Sequence, residues 1–299
     1  MRDRLVLWYL RTALAASGRV SGFAASLHNS LLFHLGFKLH FKVRPDDIFV
    51  ATYPKSGTTL TQMILYQLTT DGSMDFPHVD AVMPFYELEF MRGLPARFEA
   101  LPSPRVFKSH LLREHLPDQA RYIYVTRNLE DVAVSAYHHY CLVTGVENDF
   151  TLYTEAFAQG GVPMFNSWVR HFESWWPRRN DPNVLFLRYE EMVRDLEGAV
   201  RRIAGFCGIP VDEAAMPRIL ERCGLEFMKR HEDKFDPRFH RISGHQGVFI
   251  RKGGTGEGAP KLSAAQQEKL EERVAALARK LGCSDRELSG TLSRSQPIG

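Results

Sequence analysis

The residues most capable of chemistry fall in a few short stretches. The apolar run Ile48-Phe49-Val50-Ala51-Thr52 empties through Tyr53-Pro54 into Lys55-Ser56-Gly57-Thr58-Thr59. Leu60, Met63, Ile64, Gln67 and Leu68 then recur at helical spacing. A strand, a tight turn and a helix in this order aim several backbone N–H groups and the positive end of a helix dipole at one spot, which is a site for phosphate-like anions. Gly57 lets the backbone approach such an anion closely, while Lys55 and the Ser and Thr hydroxyls add charge and donors.

The loop is not the common nucleotide-triphosphatase type. There the lysine follows the second glycine of G-x-x-x-x-G-K-[ST], whereas Lys55 precedes the single glycine of this turn. The next long apolar strand, Arg121-Tyr122-Ile123-Tyr124-Val125-Thr126, ends at Arg127 and not at an aspartate that could hold magnesium. Lys108-Ser109-His110 and Arg188-Tyr189 also stand at the ends of apolar runs. Ligands of parallel sheets bind at the carboxyl ends of strands. The site therefore reads as cationic, with a histidine, and without a metal.

These residues need a frame that brings strand ends together. Strands are expected over 48–53, 105–108, 121–126 and 184–189. Helices are expected over 58–70, 129–142, 163–176, 190–206, 212–222 and 263–281. Short apolar strands alternating with helices predict an α/β fold, a parallel sheet covered by helices on both faces and forming a single domain. The stretches 76–104, 143–161 and 229–260 show little periodicity and read as loops.

The 299 residues, 44% of them hydrophobic, suffice for one large core. A net charge of +3 gives no reason to expect a nucleic-acid partner. The charge is uneven: residues 1–44 carry +6 and the remainder −3. Leu7, Leu10, Leu14, Val20, Phe23, Leu27 and Leu31 add an apolar helical stripe to that segment. Such a helix could lie on an anionic membrane surface or pack on its own domain; packing is the more common outcome and is the expectation. Cys141, Cys207, Cys223 and Cys283 are dispersed without metal spacing and read as reduced thiols of a cytoplasmic protein. The chain divides into a basic amphipathic segment (1–44), a catalytic domain (45–285) and a flexible tail (286–299).

Taken together, the motifs resemble the cytosolic-type sulfotransferases from about residue 45 to 260. Thr52-Tyr53-Pro54-Lys55-Ser56-Gly57-Thr58-Thr59 is similar to that family's phosphosulfate loop. Phe107-Lys108-Ser109-His110 is similar to its catalytic strand end, and Arg127-Asn128-Leu129-Glu130-Asp131-Val132-Ala133-Val134-Ser135 to its 3′-phosphate motif. Ser167-Trp168 through Trp175-Trp176, Tyr189-Glu190-Glu191-Met192, and Arg251-Lys252-Gly253 with Gly256 also fit. The fold this implies is P-loop-like. The implied reaction moves a sulfuryl group from 3′-phosphoadenosine 5′-phosphosulfate (PAPS) to a hydroxyl, leaving PAP and requiring no metal.

The resemblance also implies roles. Lys55 would stabilise charge on the oxygen bridging sulfur and phosphorus, Lys108 would neutralise the transferring group, and His110 would take the acceptor's proton. Ser56, Gly57, Thr58 and Thr59 would cradle the phosphosulfate. Arg127, Ser135, Arg251, Lys252 and Gly253 would hold the 3′-phosphate, and Tyr189 would contact the adenosine. Phe85, Leu88 and Phe165 would line the pocket of an apolar alcohol, phenol or lipid-like acceptor. His138 and His139 read as structural.

The chain departs from the family where Leu60 and Leu225 stand in place of adenine-stacking aromatics. Glu257-Gly258-Ala259 replaces Asp-Trp-Lys after Gly256. A homodimer is compatible with the resemblance, although the dimer motif survives only as Ser263-Ala264 and Glu268. Two other readings stay open: a metal-dependent nucleotide-kinase-like phosphotransferase, for which Glu190 is the one candidate strand-end acid, and a non-catalytic nucleotide-binding module.

Overall fold

The structure, a computed structural model, describes residues 41–91, 96–147, 149–160, 167–236 and 247–289. Its sheet has strands β1 (Ile48–Thr52), β2 (Val106–Ser109), β3 (Arg121–Thr126) and β4 (Val184–Arg188), in the order β2-β1-β3-β4. All pairings are parallel. The register sets Ala51 beside Ser109 and Tyr124, and Thr126 beside Arg188. The loops after β1, β2, β3 and β4 thus leave the sheet at one edge. Loops after β1 and β3 flank the point where strand order reverses, the usual crevice of such a sheet.

Alternation along β1 builds two cores. Phe49 and Ala51 face one layer, and Ile48 and Val50 the other, all fully buried. The first layer holds α3 (Leu129–Thr144), α4 (Phe150–Gln159), α5 (Trp168–Trp175) and α10 (Ala264–Leu281). The second holds α1 (Thr58–Thr69), α6 (Tyr189–Arg194), α7 (Leu196–Cys207), α8 (Met216–Cys223) and α9 (Leu225–Arg230). A further short helix, α2 (Tyr86–Met91), precedes β2. This is the expected three-layer α/β domain.

Local chemistry fixes the helix ends. Asn128 caps α3 by accepting the Asp131 N–H at 3.1 Å. Ser263 and Gln266 form a reciprocal capping box on α10, so Ser263, which stands in the dimer-motif position, serves as a helix cap. Leu270, Val274 and Leu277 of α10 are buried, and each such burial stabilises by roughly 1.5–3 kcal/mol.

Some expected boundaries shift. The stretch 143–161 contains α4, whose Tyr153, Thr154 and Phe157 are buried at helical spacing. The expected helix over 190–206 breaks into α6 and α7, because Asp195 turns out of helical geometry and caps the second by accepting the Gly198 N–H. At the amino side, Phe41 packs edge-on to Phe49, Tyr86, Phe98 and Phe107. At the carboxyl side, Asp285–Ser289 is helical with Leu288 buried. The apolar stripe of 1–40 and residues 290–299 lie outside the described residues. No helix among the described residues is long and apolar enough to cross a membrane.

Candidate active site

The phosphate-loop turn starts where β1 ends. The Ser56 N–H donates to the Tyr53 carbonyl at 3.2 Å, closing the turn. Lys55 adopts φ 69°, a left-handed conformation uncommon for a residue with a side chain. Gly57 caps α1 at φ 107°. A Cβ at Gly57 would come within 2.7 Å of the Tyr189 ring, so only glycine fits there. The strained lysine and the bare glycine together open the loop onto a cavity of about 900 Å³.

Lys55, Gly57, Thr58, Thr59, Lys108, His110, Arg127, Ser135, Tyr189, Arg251, Lys252 and Gly253 all line this cavity, as do Phe85 and Leu88. One expected residue, Ser56, does not. Phe165 lies outside the described residues. Ser56 is fully buried and absent from the lining, its Oγ without a hydrogen-bond partner, because the turn directs it away from the opening.

Tyr189 and Arg127 tie the loops together. The Tyr189 hydroxyl donates to the Gly253 carbonyl at 2.9 Å. The Arg127 guanidinium lies 4.4 Å from the Tyr189 ring centroid and donates to the carbonyls of Lys55, at 3.2 Å, and Gly254, at 2.9 Å. Asp131, one helical turn on, stands 3.6 Å from Arg127 and accepts the N–H groups of Gly256 at 2.9 Å and Gly258 at 2.6 Å. Arg251 is half-buried, and burial and the charge of Arg127 hold its pKa below the usual range. Lys252 pairs with Glu257 at 2.5 Å. Leu60 and Leu225 also line the cavity, giving that end an aliphatic wall.

At the other end stand Lys108 and His110. The His110 Nδ1 lies 2.8 Å from the Thr52 carbonyl oxygen. A carbonyl only accepts, so Nδ1 carries the proton and Nε2 is left as the basic nitrogen. Burial first, then Lys108, pushes the His110 pKa well below the usual histidine value. Burial, with Arg127, Lys108 and Arg251, lowers Lys55 to about 7. The Lys108 ammonium lies 4.4 Å from the Phe85 ring centroid, and that ring meets the His110 imidazole edge-on at 5.2 Å.

Several lining residues were not anticipated. Phe249 sits 4.2 Å from the Lys55 ammonium and 5.7 Å from the His139 ring. His139, expected to be structural, lines the cavity, its pKa held well below normal by burial and by Lys55. A signal existed: Asp131, Ser135, His139 and Val143 recur every fourth residue and all line the cavity from one face of α3. Glu190, the candidate metal acid, accepts the Asn128 N–H at 2.7 Å and lies outside the lining. Among the described residues, no group of three or more His, Cys, Asp or Glu side chains could hold a metal ion.

Comparison with known proteins agrees with this architecture. The sulfotransferase domain family matches residues 45–282. Sulfotransferase 1E1 of Homo sapiens is 34% identical over 247 residues, covering 78% of this chain and 83% of its own. Luciferin sulfotransferase of Photinus pyralis is 33% identical over 248 residues, covering 71% and 66%. The crystal structure of the mouse sulfotransferase SULT7A1 complexed with PAP superposes with a TM-score of 0.65 at 26% identity, covering 82% of this chain and 89% of that one. The kinase and binding-module readings give way, and the chain belongs to the sulfotransferase family of enzymes.

Proposed function

We propose that the protein transfers a sulfuryl group from PAPS to a hydroxyl of an apolar alcohol, phenol or lipid-like acceptor, by in-line displacement and without a metal. The observation that carries this reading is the meeting of Lys55, Lys108 and a neutral, oriented His110 in one cavity with Arg127, Ser135 and Arg251. Kinship to a protein solved with PAP supports the choice of donor.

The residues present fit such a donor. Gly57 and Gly253 both hold positive φ beside the cavity, and a Cβ at Gly253 would press to 2.4 Å of Leu225. Side chains there would fill the cradle that a nucleotide needs. The donor supplies an activated sulfuryl group and a phosphate leaving group. Lys55 stabilises charge on the leaving oxygen, and the Gly57, Thr58 and Thr59 backbone adds donors at the amino end of α1. Lys108 offsets charge on the group in transfer. His110 takes the acceptor's proton through Nε2. Arg127, Ser135, Arg251, Lys252 and Gly253 hold the 3′-phosphate, and Tyr189 bounds the adenosine side. Phe85 and Leu88 form the acceptor wall, with Phe165 assigned to it from sequence alone.

The test is incubation with radiolabelled PAPS and a panel of phenols, sterols, aliphatic alcohols and lipid extracts, with and without excess chelator. Labelled product formed equally in chelator is the expected result. No product with any hydroxyl acceptor would sink the reading, and loss of transfer restored by magnesium would overturn the metal-free mechanism.

A further inference from the structure

The mechanism leaves a buried carboxyl group unused. Glu87 is only 5% exposed, yet it borders the cavity next to His110. Its Oε1 accepts the His110 backbone N–H at 2.5 Å. Burial pushes its pKa up to about 7, against the pull of the His110 N–H and the Ser109 hydroxyl. A group that only filled space at this position would avoid that desolvation by being apolar.

Glu87 does not act alone. The segment that carries it runs beside the end of β2, where Phe85 pairs with Lys108 as an isolated parallel bridge. The Lys108 N–H donates to the Pro84 carbonyl at 3.0 Å. The Phe85 ring contacts both the Lys108 ammonium and the His110 imidazole. His110 is thereby held at two points: its backbone by Glu87 and its Nδ1 by the Thr52 carbonyl.

We infer that Glu87 is a positioning residue for the transfer reaction, bracing the Lys108-Ser109-His110 strand end so that His110 Nε2 is presented to the acceptor hydroxyl. The inference rests on His110 being the base. What the brace requires is an acceptor oxygen at Oε1, which an amide also offers. Misplacing a catalytic group by about 1 Å can slow a reaction on the order of 10²-fold.

The experiment compares Glu87→Ala and Glu87→Gln in the full chain, with active sites counted by PAP titration. Glu87→Ala should lose about tenfold to a hundredfold in kcat per active site, with PAP affinity little changed. Glu87→Gln should restore most of that kcat. If Glu87→Ala lowers only the melting temperature and the number of active sites, with kcat per site intact, the residue is merely structural and the inference falls. If Glu87→Gln is as slow as Glu87→Ala, the acceptor-oxygen account falls.

A second readout needs no turnover. With 15N-labelled histidines, His110 should show a protonated Nδ1 and a bare Nε2 in the wild type and Glu87→Gln, and a tautomer mixture in Glu87→Ala. A wild-type signal in Glu87→Ala would overturn the inference. Absence of any sulfuryl transfer by the wild type would instead sink the proposed function, and the imidazole signal would still judge the brace.

Discussion

The Nδ1 of His110 and the carbonyl oxygen of Thr52 stand 2.8 Å apart, so the last residue of β1 sets the tautomer of a histidine that follows β2. The two strands are hydrogen-bonded neighbours in register, which makes this contact rigid. Nε2 is then the basic nitrogen of a ring that lines the cavity. His110→Ala is predicted to cut turnover by ~10²–10⁴-fold while PAP still binds, as read by steady-state kinetics and calorimetry. Near-normal turnover would show that another group is the base.

Lys55 supplies a pH prediction. Burial and nearby cations hold it near 7 in the unliganded protein, against an ordinary value of 10.5. An anion in the loop favours the charged form, so PAP binding above pH ~7 should draw in a proton. Affinity should weaken as pH rises past this value, by at most about tenfold per unit. The sign for stability is opposite to that of an ordinary ion pair. A lysine with a lowered folded pKa penalises the fold below about 7, and the penalty lifts as pH rises toward the unfolded value. Titration calorimetry in buffers of different ionisation heat measures the uptake; none at pH ~8 would contradict the assignment.

Arg127 should discriminate donors by their 3′-phosphate. Charge-assisted hydrogen bonds are worth about 1.5–3 kcal/mol, so adenosine 5′-phosphosulfate, which lacks that phosphate, should bind at least about tenfold more weakly than PAPS. In Arg127→Ala the gap should narrow. Because Arg127 also holds the Lys55 and Gly254 carbonyls, both donors should bind more weakly to this variant. Equal binding of the two donors to the wild type would show the cradle to be misassigned.

Asp131 and Gly258 form a latch for the loop after Gly253. Removing the carboxylate leaves the exposed Gly256 and the buried Gly258 N–H groups without their acceptor, at roughly 1–3 kcal/mol for the buried one. A Cβ at Gly258 would come within 2.4 Å of the Glu130 carbonyl, which is backbone and cannot swing aside. Asp131→Ala and Gly258→Ala should both lower the melting temperature and weaken PAP binding. A variant that melts lower yet binds PAP normally would separate the latch from the site.

The amino-terminal segment is expected to pack on the domain. Phe41, at its end, already sits among Phe49, Tyr86, Phe98 and Phe107. Deleting residues 1–40 should therefore lower the melting temperature, and the full chain should not sediment with anionic vesicles. Salt-sensitive vesicle binding that the deletion abolishes would favour the membrane-surface alternative, where attraction is about 1 kcal/mol per basic residue.

The sequence by itself determined the frame and most of the candidate site. Alternation and helical spacing are local properties, so β1, α1, β3 and α10 stood where the residue pattern placed them. The candidate chemistry was legible because parallel strands in register deliver their ends to one edge; Lys55, Lys108, His110, Arg127 and Tyr189 needed no further information to be brought together. His139, read from sequence as structural, was missed, although it stands four residues after Ser135 on the helix face that lines the cavity. Tertiary structure alone decided the contacts between residues distant in the chain. These include Glu87 on the His110 N–H, Phe249 against Lys55, and Asp131 on Gly256 and Gly258. It also decided that Ser56 turns inward, since the left-handed Lys55 sets the direction of the turn. Pattern records which face of an element is apolar; which distant loop lies across that face depends on packing the two layers together.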